Sequence, residues 1–200
     1  MKCIFGSLLS FFILSSASAS DILGPNFHEI DRGRYYRSAQ LDGKEFDYYI
    51  KKYGIRTIIN LRGAYPDEKW YKEEKQVAAK NGVEHHDISM LAEAIPHRQN
   101  LIKLLDLFKT AQRPILVHCQ GGADRTGEAS TLYQMLYNGK PMDEALKMLT
   151  FKYRHAEFFK PAKRYFIEQV WQGEDWAYKS YDPCKSNYKY YERNTEYCRN

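Results

Sequence analysis

The 200-residue chain has no internal repeat, no dense basic stripe and, past its first residues, no apolar run approaching the length of a membrane span. Each absence excludes something. Lys+Arg 30 against Asp+Glu 25 gives a net charge of +5, which suits an anionic substrate but falls short of the basic surface that a nucleic-acid binder presents. Four cysteines are too few for a disulfide-built scaffold. What is present is ordinary globular material. Hydrophobic types at 44% and charged types at 28% exclude a disordered or fibrous chain and suffice for one domain.

The N-terminus is the exception in composition. Lys2 precedes an apolar run from Ile4 through Leu14, and Ala17-Ser18-Ala19 follows before Asp21. A positive start, a short apolar core and an Ala-x-Ala site predict a signal peptide over 1–19, cleaved after Ala19. The alternative is an uncleaved anchor. Cys3 precedes the apolar run, so it is not placed as a lipoprotein cysteine. Losing Lys2 leaves 29 − 25 = +4. The expected mature chain is soluble, exported to a periplasm or secreted, and without a membrane span.

Export permits disulfides, and Cys119, Cys184 and Cys198 remain after cleavage. Pairing Cys184 with Cys198 closes a loop of about fifteen residues, worth about 3 kcal/mol in the chain-entropy model. Cys119 is then the odd thiol, either reactive or buried and inert.

Strand and helix signals alternate along the chain. Tyr35 to Arg37 reads as a short strand after a Pro/Asn-containing lead-in. Asp42 with Glu45 three residues on forms a capping box for a helix that Gly54 stops. Ile55 to Leu61 and Val83 to Ile88 read as strands, with a helix from Asp67 to Lys80 between them. Leu101, Leu104, Leu105 and Phe108 mark a helix after Pro96; Ile115 to His118 is an apolar strand; and Ala129, Leu132, Tyr133 and Leu136 mark a helix ending at Asn138-Gly139. Pro141 and Pro161 suit first turns of further helices. The pattern predicts an α/β fold, a mainly parallel mixed sheet flanked by helices with a helix-rich C-terminal half. From about Gly173 periodicity gives way to a polar, Tyr-rich tail.

The chemistry concentrates between that apolar strand and the next helix, in His118-Cys119-Gln120-Gly121-Gly122-Ala123-Asp124-Arg125-Thr126-Gly127. A strand-to-helix turn directs successive N–H groups into its own concavity, and the helix N-terminus adds positive potential, so Gln120 to Arg125 form a candidate phosphate cradle. Gly121 and Gly122 permit the close backbone approach. The same field favours the thiolate of Cys119, making it a candidate nucleophile. Arg125 offers a planar fork to two phosphoryl oxygens, Thr126 a hydroxyl to the sulfur, and His118 an orienting hydrogen bond.

These residues resemble the His-Cys-x-x-Gly-x-x-Arg-Thr-Gly signature of cysteine-based phosphatases, especially the dual-specificity branch. Tyr36-Arg37-Ser38-Ala39-Gln40 and Ile58-Ile59-Asn60-Leu61-Arg62 are similar to the leading segments of its small bacterial members. The resemblance runs from about Tyr35 to Trp171. Together with the N-terminal composition and the polar tail, it predicts a signal peptide 1–19, a phosphatase domain 20–172 and a C-terminal tail 173–200. It implies a phosphocysteine intermediate, no metal or cofactor, and a phosphorylated protein or small phosphoester as substrate; a monomer is expected.

The family places a general acid on a loop over the pocket. Here that loop is Ser89 to Pro96, whose only acid is Glu93. Asp124, beside the loop Arg, and Asp87 are rivals. Adjacent His85 and His86 face opposite ways on a strand and make a poor metal pair. Loop lysines typical of inositol-phosphate and phosphoinositide phosphatases are replaced by Gln120 and Ala123, which weakens that alternative substrate class. Arg62, Arg98, Lys152, Arg154 and His155 are candidate pocket cations. A catalytically silent phosphate-binding module and a sulfur transferase are the readings from other classes.

Overall fold

The computed structural model describes residues 24–198; the expected signal segment and its cleavage site lie outside them. Strands β1 (His28–Asp31), β2 (Tyr35–Ser38), β3 (Thr57–Asn60), β4 (Glu84–Asp87) and β5 (Ile115–His118) form one sheet. Its order is β1-β2-β5-β3-β4. Only β1 runs antiparallel, against β2; the other pairings are parallel. The mixed sheet and its helices agree with the expected fold class. β1 is the element that periodicity does not reveal, because His-Glu-Ile-Asp carries one apolar residue and reads as part of the lead-in.

Central β5 is buried on both faces, and its alternating side chains divide between two cores. Leu116 joins Tyr36 and Ile58 beneath helices α1 (Gly43–Tyr53) and α2 (Lys69–Lys80) through Phe46, Ile50 and Ala78. Ile115 and Val117 face Leu104, Phe108, Leu132 and Tyr133 of α3 (Arg98–Thr110) and α4 (Asp124–Tyr137). This is the period-two consequence of a strand placed between two helical layers. The Asp42–Glu45 capping box and left-handed Gly54 bound α1 as expected. Parallel strands aim their C-terminal ends to one edge, where the loops after β3, β4 and β5 meet.

The C-terminal half is helical but broken. The helix after Pro141, α5 (Met142–Ala145), passes into 3₁₀ turns at Leu146–Met148 and Phe151–Tyr153. The one after Pro161, α6 (Ala162–Tyr165), continues as a π turn, Phe166–Val170. Beyond Gly173 lies α7 (Glu174–Lys179), and Cys184 is bonded to Cys198. This tail is not a solvated appendage. Tyr181 is fully buried, and Trp176, Tyr188, Tyr190 and Tyr191 pack against the main core. Each aromatic docks singly, which explains why no period announces it. Among the described residues, no helix is long and apolar enough to cross a membrane.

Candidate active site

The loop from Cys119 to Ala123 leaves the end of β5 and enters α4, and the carbonyls from Gln120 to Ala123 each meet a protein donor. Gln120 O accepts from Gln40 N at 3.1 Å. Gly121 O accepts from Asn26 Nδ2 at 3.0 Å, and Gly122 O accepts from Asn26 Nδ2 at 3.2 Å and Arg37 Nη2 at 2.6 Å. Ala123 O accepts from Gly127 N at 2.9 Å. Carbonyls fixed outward leave the amides of the same loop facing the concavity. The first turn of α4 carries no side-chain cap, so its donors also remain for a ligand.

Gly122 has φ +64, and a Cβ there would lie 2.6 Å from the backbone of Ser38 and Ala39. No larger residue fits that approach.

Arg37 holds this arrangement from below. It is fully buried, stacks 4.3 Å over Tyr153, and donates to Met148 O at 3.0 Å as well as to the loop. Burial pushes its guanidinium down to about 10, still charged at neutral pH. Sequence reasoning assigned neither Arg37 nor Asn26 a role; for Arg37 the available signal was a cation inside an otherwise buried strand.

Cys119 sits at the mouth of the loop, 2% exposed. Burial alone would push its thiol up; the Arg125 guanidinium and the hydroxyl and amide of Thr126 outweigh it, so the thiol lies below its ordinary value. Arg125 reaches back across the site, Nη1 donating to Met90 O at 3.3 Å and at the limit of reach to Leu61 O at 3.5 Å. Its Nε is buried without an acceptor. A positive, donor-rich concavity with an unused guanidinium N–H beside a thiol held below its ordinary value suits a tetrahedral oxyanion.

Beneath the loop lies an unforeseen acid, Glu74 on α2, fully buried. It accepts from His118 Nε2 at 2.9 Å, His85 Nε2 at 2.7 Å and Gln40 Nε2 at 2.7 Å. Burial pushes its carboxyl up, but His118 and His85 more than offset this and hold it below the usual range. His118 thus spends its Nε2 on Glu74. His85 points inward to Glu74, whereas His86 faces solvent beside Glu84. Gln40 also accepts from Arg62 Nη1 at 2.8 Å, and Arg62 lies 3.4 Å over the Trp70 ring.

The candidate acids occupy different surroundings. Asp87 accepts from Tyr71 OH at 2.6 Å and Asn60 Nδ2 at 2.8 Å. Asp124 is hydrogen-bonded to the buried His155 Nδ1 at 2.8 Å, a bracing contact inside the fold. Glu93 stands on the outer lip, its side chain 64% exposed and paired with Lys160. The remaining cations split. Arg62 is at the site, whereas Arg98 donates to Tyr178 O, Arg154 donates to Gly24 O and Lys152 stacks on Tyr153.

The lip, residues 89–97, is fastened from several directions. Lys163, fully buried, donates to Ala94 O at 2.7 Å and Glu128 Oε2 at 2.9 Å. From the tail, Tyr190 O accepts from Ile95 N at 3.0 Å, Tyr181 OH donates to Pro96 O at 2.5 Å, and Tyr191 OH bonds His97 Nδ1 at 3.0 Å. The same hydroxyl lies 3.2 and 3.1 Å from the sulfurs of Cys184 and Cys198.

Comparison with known proteins places the chain by sequence and by fold. The chain is similar to human dual specificity protein phosphatase CDC14C, 30% identical over 87 residues, or 44% of this chain and 18% of that protein. It therefore spans less than a fifth of the length of the curated relatives it matches. Among solved structures, P. aeruginosa TpbA in complex with pTyr matches with TM-score 0.58 at 18% identity, covering 72% of this chain and 83% of that one. The core catalytic domain of the PP-IP phosphatase SIW14 from S. cerevisiae, in complex with citrate, gives 0.56 at 24%, covering 72% and 84%. These likenesses establish the fold. A family model described as PTP-NADK, DSP-PTPase phosphatase fused to NAD+ kinase, matches residues 15–165, and the chain belongs to that phosphatase family.

Proposed function

We propose that the protein is a phosphomonoester hydrolase of the tyrosine or dual-specificity type, acting through a phosphocysteine on Cys119. The observation that carries the reading is the low-lying Cys119 thiol at a loop whose carbonyls from Gln120 to Ala123 are held by protein donors, beside an Arg125 Nε without an acceptor. The thiolate attacks phosphorus, the P–S bond forms and the P–O bond to the leaving group breaks. Loop amides and the Arg125 fork hold the equatorial oxygens, which gain charge in the transition state. Glu93 gives its proton to the departing oxygen after leaving Lys160. Water then attacks phosphorus and loses a proton to Glu93, and the P–S bond breaks with the Thr126 hydroxyl stabilising the thiolate.

Glu93 is preferred as the acid because the stretch that carries it also supplies Met90 O to Arg125, while Asp87 and Asp124 are engaged within the fold. We place the protein outside the cytoplasm. The composition of residues 1–19 and the Cys184–Cys198 bond support that reading.

The test is hydrolysis of a phosphotyrosine peptide, phosphoserine peptides, phosphoinositides and inositol phosphates by the full chain and its Cys119→Ser variant. Cys119→Ser is expected to lower turnover by more than about ten-thousandfold while phosphate binding survives. Glu93→Gln is expected to cut kcat on alkyl phosphates far more than on aryl phosphates, whose leaving groups need little protonation. Turnover absent from every substrate would favour a silent phosphate-binding module.

A further inference from the structure

All three arginines of the site are held by neutral oxygens: Arg37 and Arg125 by carbonyls, Arg62 by the Gln40 amide. Among the described residues, none of the three has a carboxylate within ion-pair distance. Arg37 is spent on bracing the loop, and Arg125 serves the phosphoryl group over Cys119. Arg62 is left without a use in the reaction.

Its placement is specific. The backbone carbonyl before it, Leu61 O, accepts from Arg125, and its side-chain partner Gln40 donates its own amide to Gln120 O of the cradle. The guanidinium is therefore fixed at the rim through two covalent neighbours of the cradle's own contacts. It lies flat on Trp70, whose ring is 5.7 Å from that of Tyr65, so one face is covered by an aromatic wall. Nη1 is used by Gln40; no acceptor among the described residues meets Nε or Nη2. Burial, and then the neighbouring Arg125, push this guanidinium below its ordinary value. A second cation packed half-buried beside the first is costly unless a ligand neutralises it.

We propose that Arg62, positioned by Trp70 and Gln40, is a second oxyanion-binding group, so that the preferred substrate carries another phosphate or carboxylate next to the phosphoryl group that reacts at Cys119. A planar fork with an edge free matches a phosphate or carboxylate bidentately. This deepens the phosphatase reading and rests on it for turnover, but the binding preference is measurable without turnover.

The test is calorimetric binding of inorganic phosphate and of pyrophosphate to the full chain carrying Cys119→Ser, alone and with Arg62→Ala or Arg62→Lys. Pyrophosphate is expected to bind roughly tenfold or more tighter than phosphate. Arg62→Ala should remove that preference, and Arg62→Lys, which keeps the charge without the fork, should restore part of it. Equal affinities in the parent, or a preference that survives Arg62→Ala, would overturn the proposal. In the wild-type background, kcat/KM for an inositol bisphosphate over an inositol monophosphate, and for a phosphotyrosine peptide with a neighbouring Glu over one with Ala, separates the two sources of the second oxyanion. A preference in binding without hydrolysis of any substrate would sink the phosphatase reading and leave the Arg62 site standing.

Discussion

The two loops that meet over Cys119 are secured in opposite ways. The phosphate loop rests on buried main-chain-directed side chains, Asn26 and Arg37, that grip its carbonyls from within the domain. The lip at 89–97 is gripped from outside, by a lysine of the broken helical segment and by tyrosines of the tail. The first must be rigid because its amides have to be in place before charge develops. In the proposed mechanism the second must let Glu93 exchange Lys160 for a leaving group. A deep clamp and a surface clamp answer those different demands.

Breaking the deep clamp should have the larger effect. Arg37→Met strips one of the two donors from Gly122 O and the donor from Met148 O in a buried site, and is expected to cost about 3 kcal/mol of stability with turnover lost on every substrate. Urea unfolding and steady-state rates measure both. A variant as active as the parent would show that the loop holds its shape without the clamp.

Breaking the surface clamp should be gentler and selective. Cys184→Ser is expected to lower stability by about 3 kcal/mol at most, and to reduce kcat chiefly for alkyl phosphates, which depend on the acid. Tyr191→Phe, which spares the disulfide but loses the bond to His97, should reproduce the selectivity with little loss of stability. If both variants slow aryl and alkyl phosphates alike, the tail supports the whole domain and not the lip.

The finest change sharpens the comparison within the phosphate loop alone. The Thr126 hydroxyl favours the Cys119 thiolate, so Thr126→Ala raises the thiol pKa. The thiolate is then lost at a higher pH as solutions are acidified. The acid limb of kcat/KM should accordingly move to higher pH in Thr126→Ala and stay in place in Tyr191→Phe. A limb that is unmoved in Thr126→Ala would mean that another group titrates there.

The contrast also explains what could be read from residues alone. The phosphate loop was legible because its chemistry is consecutive: strand, Cys119, glycines, Arg125, Thr126 and helix follow one another. The four parallel strands and α1 were legible through short strand-like runs and the Asp42 capping box. Glu74 was not, since one of two adjacent acids on an amphipathic helix looks solvated until the fold sets it between His118 and His85. Arg37 looked like part of a motif without a task. The tail was opaque because its contacts join positions about a hundred residues apart, with no period that a local pattern could register.

That separation has a consequence in time. The cradle draws its support from residues no later than His155, whereas the lip draws on Tyr181, Tyr190, Tyr191 and the bond that ends at Cys198. Contacts that close long loops form late. A growing chain therefore completes the contacts that brace the cradle well before those that fasten the lip, so the two sides of the site mature one after the other.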